Sequence, residues 1–113
     1  MELDTTGSLQ KPDLFEKFKI QVHKDFELAG ASEYTPVIIS NELLHLRNAF
    51  HHSIVKLEIS NALKIVLYRV DITEQQIIQS SQKQPEVSLQ YIIAELMIKR
   101  ILQKVILKEL YSK

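Results

Sequence analysis

The chain has 113 residues, 45% of them hydrophobic and 25% charged, with fourteen basic and fourteen acidic side chains and no cysteine. That length suits one hydrophobic core and is short for two, the composition is globular and not disordered, and the missing thiols exclude disulfides, thiolate zinc sites and cysteine nucleophiles. The charge asymmetry is mild, with seven acids and four bases in residues 1–34 and seven acids and ten bases in residues 35–113, so the clustered Lys and Arg of a nucleic-acid footprint are missing.

Residues 1–11 show no hydrophobic periodicity and include Gly7, Ser8 and two threonines; they are expected to form a flexible N-terminal tail. The first eight residues are acidic and polar, unlike a secretory or transit peptide, which together with the lack of cysteine suggests a cytoplasmic setting. Residues 12–113 are expected to make a single helical domain. Only two glycines and three prolines occur, none of either between Val37 and Gln84. A sandwich or barrel would need turn residues far more often.

Pro12 and Asp13 open a first predicted helix to about Ala29. Phe15, Phe18, Val22, Phe26 and Ala29 recur at three- and four-residue steps along one face, and Gly30 is placed to terminate it in the left-handed conformation. A second helix is predicted over 36–70, with Thr35 as cap and Pro36 at the first helical position; Ser40 or Asn41 is the alternative cap, because the β-branched run Val37, Ile38, Ile39 opposes helix. Within this span Ile39, Leu43, Leu46, Phe50, Ile54 and Leu57 form one stripe. Val55, Ile59, Ala62, Val66 and Val70 form another on nearly the opposite face. A break near His51 to Ser53 would explain the shift. Without Gly or Pro there, a continuous helix is the expectation.

Asp71 with Glu74, and Thr73 with Gln76, both have capping-box spacing and open a short helix over 73–81. The polar run from Ser80 to Pro85 is a connection, and a last helix follows over 86–111. It is apolar on two sides. Val87, Tyr91, Ala94, Ile98, Ile101, Leu102 and Val105 make one stripe; Leu89, Ile92, Leu96, Leu107 and Leu110 make a second, interrupted by Lys99 and Gln103. A helix apolar on both sides is sandwiched between neighbours. The fold expected is therefore all-α, a compact four-helix arrangement without sheet, with a core drawn from Phe15, Phe18, Val22, Leu43, Phe50, Leu57, Val66, Tyr91, Ile98, Ile101 and Val105. No apolar run approaches the roughly 20 residues that span a bilayer.

Candidate chemistry is sparse. Glu42 and His45 have the Glu-x-x-His spacing with which helical bundles present a carboxylate and an imidazole to one metal, and His52 lies near the same side. The remaining ligands of such a site are missing: the last helix offers Glu95 followed by Ile98, and Glu16 and His23 are seven apart. His51 and His52 diverge by about 100° on a helix and cannot chelate together. No glycine-flanked serine elbow or phosphate-cradling loop exists, so neither enzyme nor cofactor is indicated. Thr73 to Arg100 has the order of a helix-turn-helix, but the turn is long and contains Pro85, and the early residues of the second helix suit base edges and phosphates poorly. Lys99, Arg100, Lys104 and Lys108 complement a helix C-terminus. The expectation is a small non-enzymatic helical interaction protein that self-associates, as a homo-oligomer or with a helical protein partner, through Leu89, Ile92, Leu96, Leu107 and Leu110, with no nucleic acid, membrane or small-molecule partner. The alternatives are a carboxylate-histidine metal-binding bundle using Glu42, His45 and His52, and a helical nucleic-acid-binding regulator.

Overall fold

The computed structural model describes residues 6–111. Among them the chain is all-helical: a 3-10 turn over Thr6–Gln10, then α1 (Pro12–Leu28), α2 (Leu43–Ile59), α3 (Leu63–Val70), α4 (Glu74–Lys83) and α5 (Leu89–Tyr111). Five α-helices stand where four were expected. Residues 1–5 of the expected tail lie outside the described residues. From Thr6 the tail reading gives way, because Leu9 in the 3-10 turn is buried in the core, and its carbonyl accepts from the Asn41 side-chain amide at 3.2 Å.

The difference in helix count has a local cause. α1 ends as expected at Gly30, whose φ is +72°; Ala31 N–H donates to the Phe26 carbonyl at 2.8 Å and Gly30 N–H to that of Glu27 at 3.0 Å. This is the Schellman closure, a left-handed residue followed by an apolar one that folds back on the helix. The same closure recurs twice without glycine. Asn61 takes φ +58°, and Ala62 N–H reaches the Leu57 carbonyl at 2.9 Å. Asp71 takes φ +73°, and Ile72 N–H reaches the Leu67 carbonyl at 2.9 Å. Asn and Asp tolerate this region because their short polar side chains bond locally. The predicted continuous helix over 36–70 is therefore two helices with a break at residues 60–62, not at His51 to Ser53. The change of apolar face is the turn between them.

The start of that helix is also displaced. Residues 35–42 carry no helix, and α2 begins at Leu43, because Pro36 and three β-branched residues in a row prefer extended backbone. α4 opens as expected at Thr73, with both arms of its capping box made: Gln76 N–H to the Thr73 hydroxyl at 3.2 Å and Thr73 N–H to the Gln76 side chain at 2.9 Å. α5 starts at Leu89 and not at 86, since Val87 N–H turns back to the Gln84 carbonyl and Ser88 caps the helix by accepting from Tyr91 N–H at 3.3 Å. Pro85 belongs to the preceding turn.

One cluster of buried side chains joins the elements. Phe18, Val22 and Phe26 of α1, Phe50, Ile54 and Leu57 of α2, Val66 and Val70 of α3, and Met97, Ile101 and Leu102 of α5 are all within it. α5 packs against each of the other four helices. Of the expected core, Phe15 and Leu43 are only partly buried against this cluster, Val105 is buried outside it, and Tyr91 is not in it: its ring stacks on His51 at 4.1 Å between centroids. A buried polar link crosses the core's edge. The Asp25 carboxylate, 2% exposed, accepts from the Gln21 amide at 2.9 Å and from Lys104 Nζ at 3.1 Å. Lys104 also donates to the Arg69 carbonyl at 3.0 Å. One ammonium thus ties α1, α3 and α5 together. No helix among the described residues is long and apolar enough to cross a membrane.

Candidate functional site

The second apolar stripe of α5 divides into three parts. In the middle, Ile92 is 2% exposed and Leu96 is half-buried against the core, so the chain itself covers them. That corrects the expectation that all five residues of the interrupted second stripe face a partner: the five helices of the chain enclose the central turns of α5 themselves. At the C-terminal end the stripe is open, with Leu107 40% and Leu110 65% exposed, followed by an exposed Tyr111. At the N-terminal end Leu89 is 48% exposed and forms one wall of an apolar groove.

That groove, about 420 Å³, lies where α3, α4 and α5 meet, lined by Leu63 and Leu67, by Ile77 and Ile78, and by Leu89 and Ile93, with Lys64, Glu74, Ser81 and Gln82 around it. Its volume is in the range of about 300–1,000 Å³ usual for binding clefts. Its existence follows from the sequence of α4, in which only Ile77 and Ile78 are aliphatic. Ile77 packs against the core, Ile78 is exposed and no residue of α4 is buried. A ten-residue helix held by so little cannot fill the angle between α3 and α5. Sequence reasoning found Leu89 but missed the groove, because it depends on α3 being a separate element.

The basic residues of α5 serve the fold. Arg100 pairs with Asp71 at 2.8 Å, Lys104 with Asp25, and Lys108 donates to the Gln21 side-chain oxygen at 2.6 Å. Of the four expected to complement the helix dipole, three have side-chain partners on other elements. Lys99 is exposed. Arg47 of α2 and Glu95 of α5 form a further ion pair.

The histidine pattern resolves as follows. Glu42 is the last residue before α2 and lies with its Oε2 3.9 Å from His45 Nδ1, both exposed. His52 and His45 line a second cleft of about 490 Å³ between α2 and residues 33–39, together with Asn48, Ser53 and Lys56. Among the described residues no three side chains from His, Cys, Asp and Glu are grouped to hold a metal ion. Comparison of the chain with protein-family models, curated proteins and solved structures gives no match.

Proposed function

We propose that this chain works by contact with another polypeptide, as a non-enzymatic helical interaction module, and that its partner is a second copy bound through α5. One observation carries the reading: both ends of α5 present exposed leucines on one face of the helix. Leu89 and Leu107 are eighteen residues apart, which is five turns at about 3.6 residues per turn, and Leu110 lies within the same stripe. Contact is confined to the two ends of the stripe: in an antiparallel two-fold arrangement Leu107 and Leu110 of each chain meet Leu89 and the groove of the other, while Ile92 and Leu96 stay covered by their own chain. Isologous contact of this kind closes on itself as a dimer. The groove supplies the concave apolar surface and the C-terminal turns supply aliphatic side chains to enter it, the helix-in-groove mode of recognition.

Matching Leu89 with Leu110 puts the two-fold axis between Lys99 and Arg100. Arg100 is held by Asp71, whereas the two exposed Lys99 side chains approach each other across the axis. Their repulsion is screened by salt, so association strengthens as ionic strength rises. The test is sedimentation velocity of the intact chain at rising concentration, with Leu107→Lys/Leu110→Lys and Leu89→Lys as variants. A dimer in the unmodified chain that either variant dissolves supports the reading, and a strict monomer at millimolar concentration removes it.

A further inference from the structure

We propose that the cleft between α2 and residues 33–39 binds a small zwitterion with an apolar body, of which an α-amino acid with an aromatic side chain is the simplest case. The cleft has a cause in the sequence. His45, Asn48, Ala49, His52 and Lys56 recur at three- and four-residue steps, so they share the face of α2 that lines it. Ala49 and Ser53 stand one turn apart in this wall, and their small side chains leave a depth that larger ones would fill. The facing wall is apolar. Tyr34 packs against the core, while Val37 is 78% and Ile39 85% exposed. The fold leaves these two side chains without cover, and a guest that covers them gains from apolar burial.

The polar groups define what else the guest carries. Glu33 and Lys56 supply one carboxylate and one ammonium to the same lining, yet among the described residues neither belongs to an ion pair, with the other or with a third group. A guest with a carboxylate and an ammonium answers both, whereas a guest with one charge leaves the other group unanswered. Donors for the guest's carboxylate lie on the same helix as Lys56. Ser53 is 4% exposed and lines the cleft, and its hydroxyl makes no hydrogen bond among the described residues. Asn48 Oδ1 accepts from the Tyr91 hydroxyl at 3.4 Å, which leaves the two Nδ2 hydrogens of Asn48 unused. A concave site with one apolar wall and a few convergent polar groups is the usual form of a small-molecule site. It shares no residue with the groove between α3, α4 and α5, so it stands apart from the proposed association.

The experiment titrates the intact chain with L-phenylalanine, with 3-phenylpropanoate, which lacks the ammonium, and with phenethylamine, which lacks the carboxylate, and follows amide chemical shifts by NMR. The expected result is saturable shifts at Val37, Ile39, Ala49 and Lys56 below about 10 mM phenylalanine, with each single-charge analogue bound at least about fivefold more weakly. Lys56→Met should erase the difference between phenylalanine and phenethylamine, and Glu33→Gln the difference between phenylalanine and 3-phenylpropanoate. Both side chains are exposed, and an unchanged melting temperature verifies that the variants fold. Absence of saturable shifts at about 10 mM phenylalanine, or equal binding of all three compounds, overturns the proposal. Tighter binding of either single-charge analogue than of phenylalanine overturns it as well, as does phenylalanine binding that both variants leave unchanged.

Discussion

Removing the Lys104 ammonium should destabilise the chain more than neutralising its partner. Asp25 is 2% exposed, whereas the Lys104 side chain keeps 20% of its surface in solvent. Lys104→Met therefore strands a buried carboxylate whose remaining partner is the Gln21 amide. Stranding one member of a buried pair costs about 3–5 kcal/mol, and the partial exposure of Lys104 places this case near the lower end, about 3 kcal/mol. Asp25→Asn keeps an acceptor for Lys104 and leaves the ammonium with the Arg69 carbonyl and solvent, so about 1–1.5 kcal/mol is expected, the net worth of one ordinary hydrogen bond. The double variant removes both charges and should cost about 2 kcal/mol, a coupling of about 2 kcal/mol against the sum. Urea unfolding reads this directly: with a slope of about 1–3 kcal/mol/M, Lys104→Met lowers the midpoint by roughly 1–3 M. The measurement belongs at a protein concentration too low for association to contribute. Costs that add to within about 0.5 kcal/mol would refute the buried link between α1, α3 and α5.

Three further outcomes follow from named contacts. Asn61→Gly should stabilise the chain by about 0.5–1 kcal/mol and Asn61→Ala destabilise it by about 1 kcal/mol, because φ is +58° there and a Cβ without a polar side chain is strained in that region; thermal unfolding checks both. Asp71→Gly relieves the same strain but loses the Arg100 ion pair, so its gain should be smaller than that of Asn61→Gly under the same assay. Thr73→Ala removes a complete capping box worth about 1 kcal/mol. Since α4 buries no residue, the loss should appear in hydrogen exchange as local opening of residues 74–83 with little change in global stability.

The fold class, the ends of α1 and the capping box of α4 are legible in the sequence because each rests on local chemistry: apolar spacing, Gly30, and the Thr73–Gln76 pair. The break between α2 and α3 is harder to read because it contains neither Gly nor Pro. Its signal is nonetheless present. Phe26 with Ala31, Leu57 with Ala62, and Leu67 with Ile72 are apolar pairs five residues apart, with Gly30, Asn61 or Asp71 immediately before the second member. The alternation of exposed Val37 and Ile39 with inward Pro36 and Ile38 is not legible, because all four residues are apolar; the β-branched run marks the segment only as a poor helix former. The burial of Ile92 and the groove beside Leu89 were not legible, since both depend on where α3 and α4 pack against α5, a tertiary outcome that periodicity within α5 does not contain. Asp25 carries no local mark of burial; it becomes a core residue only because Lys104, 79 positions away, reaches it.

The most direct measurement is sedimentation velocity of the unmodified chain and of Leu107→Lys/Leu110→Lys, each over a wide concentration range at low and high salt. Both leucines are exposed, so the variant should retain the stability and helix content of the parent. A parent that dimerises, more tightly at high salt, beside a variant that stays monomeric is the expected result. A parent that remains monomeric throughout, or a variant that dimerises as well as the parent, contradicts assembly through α5.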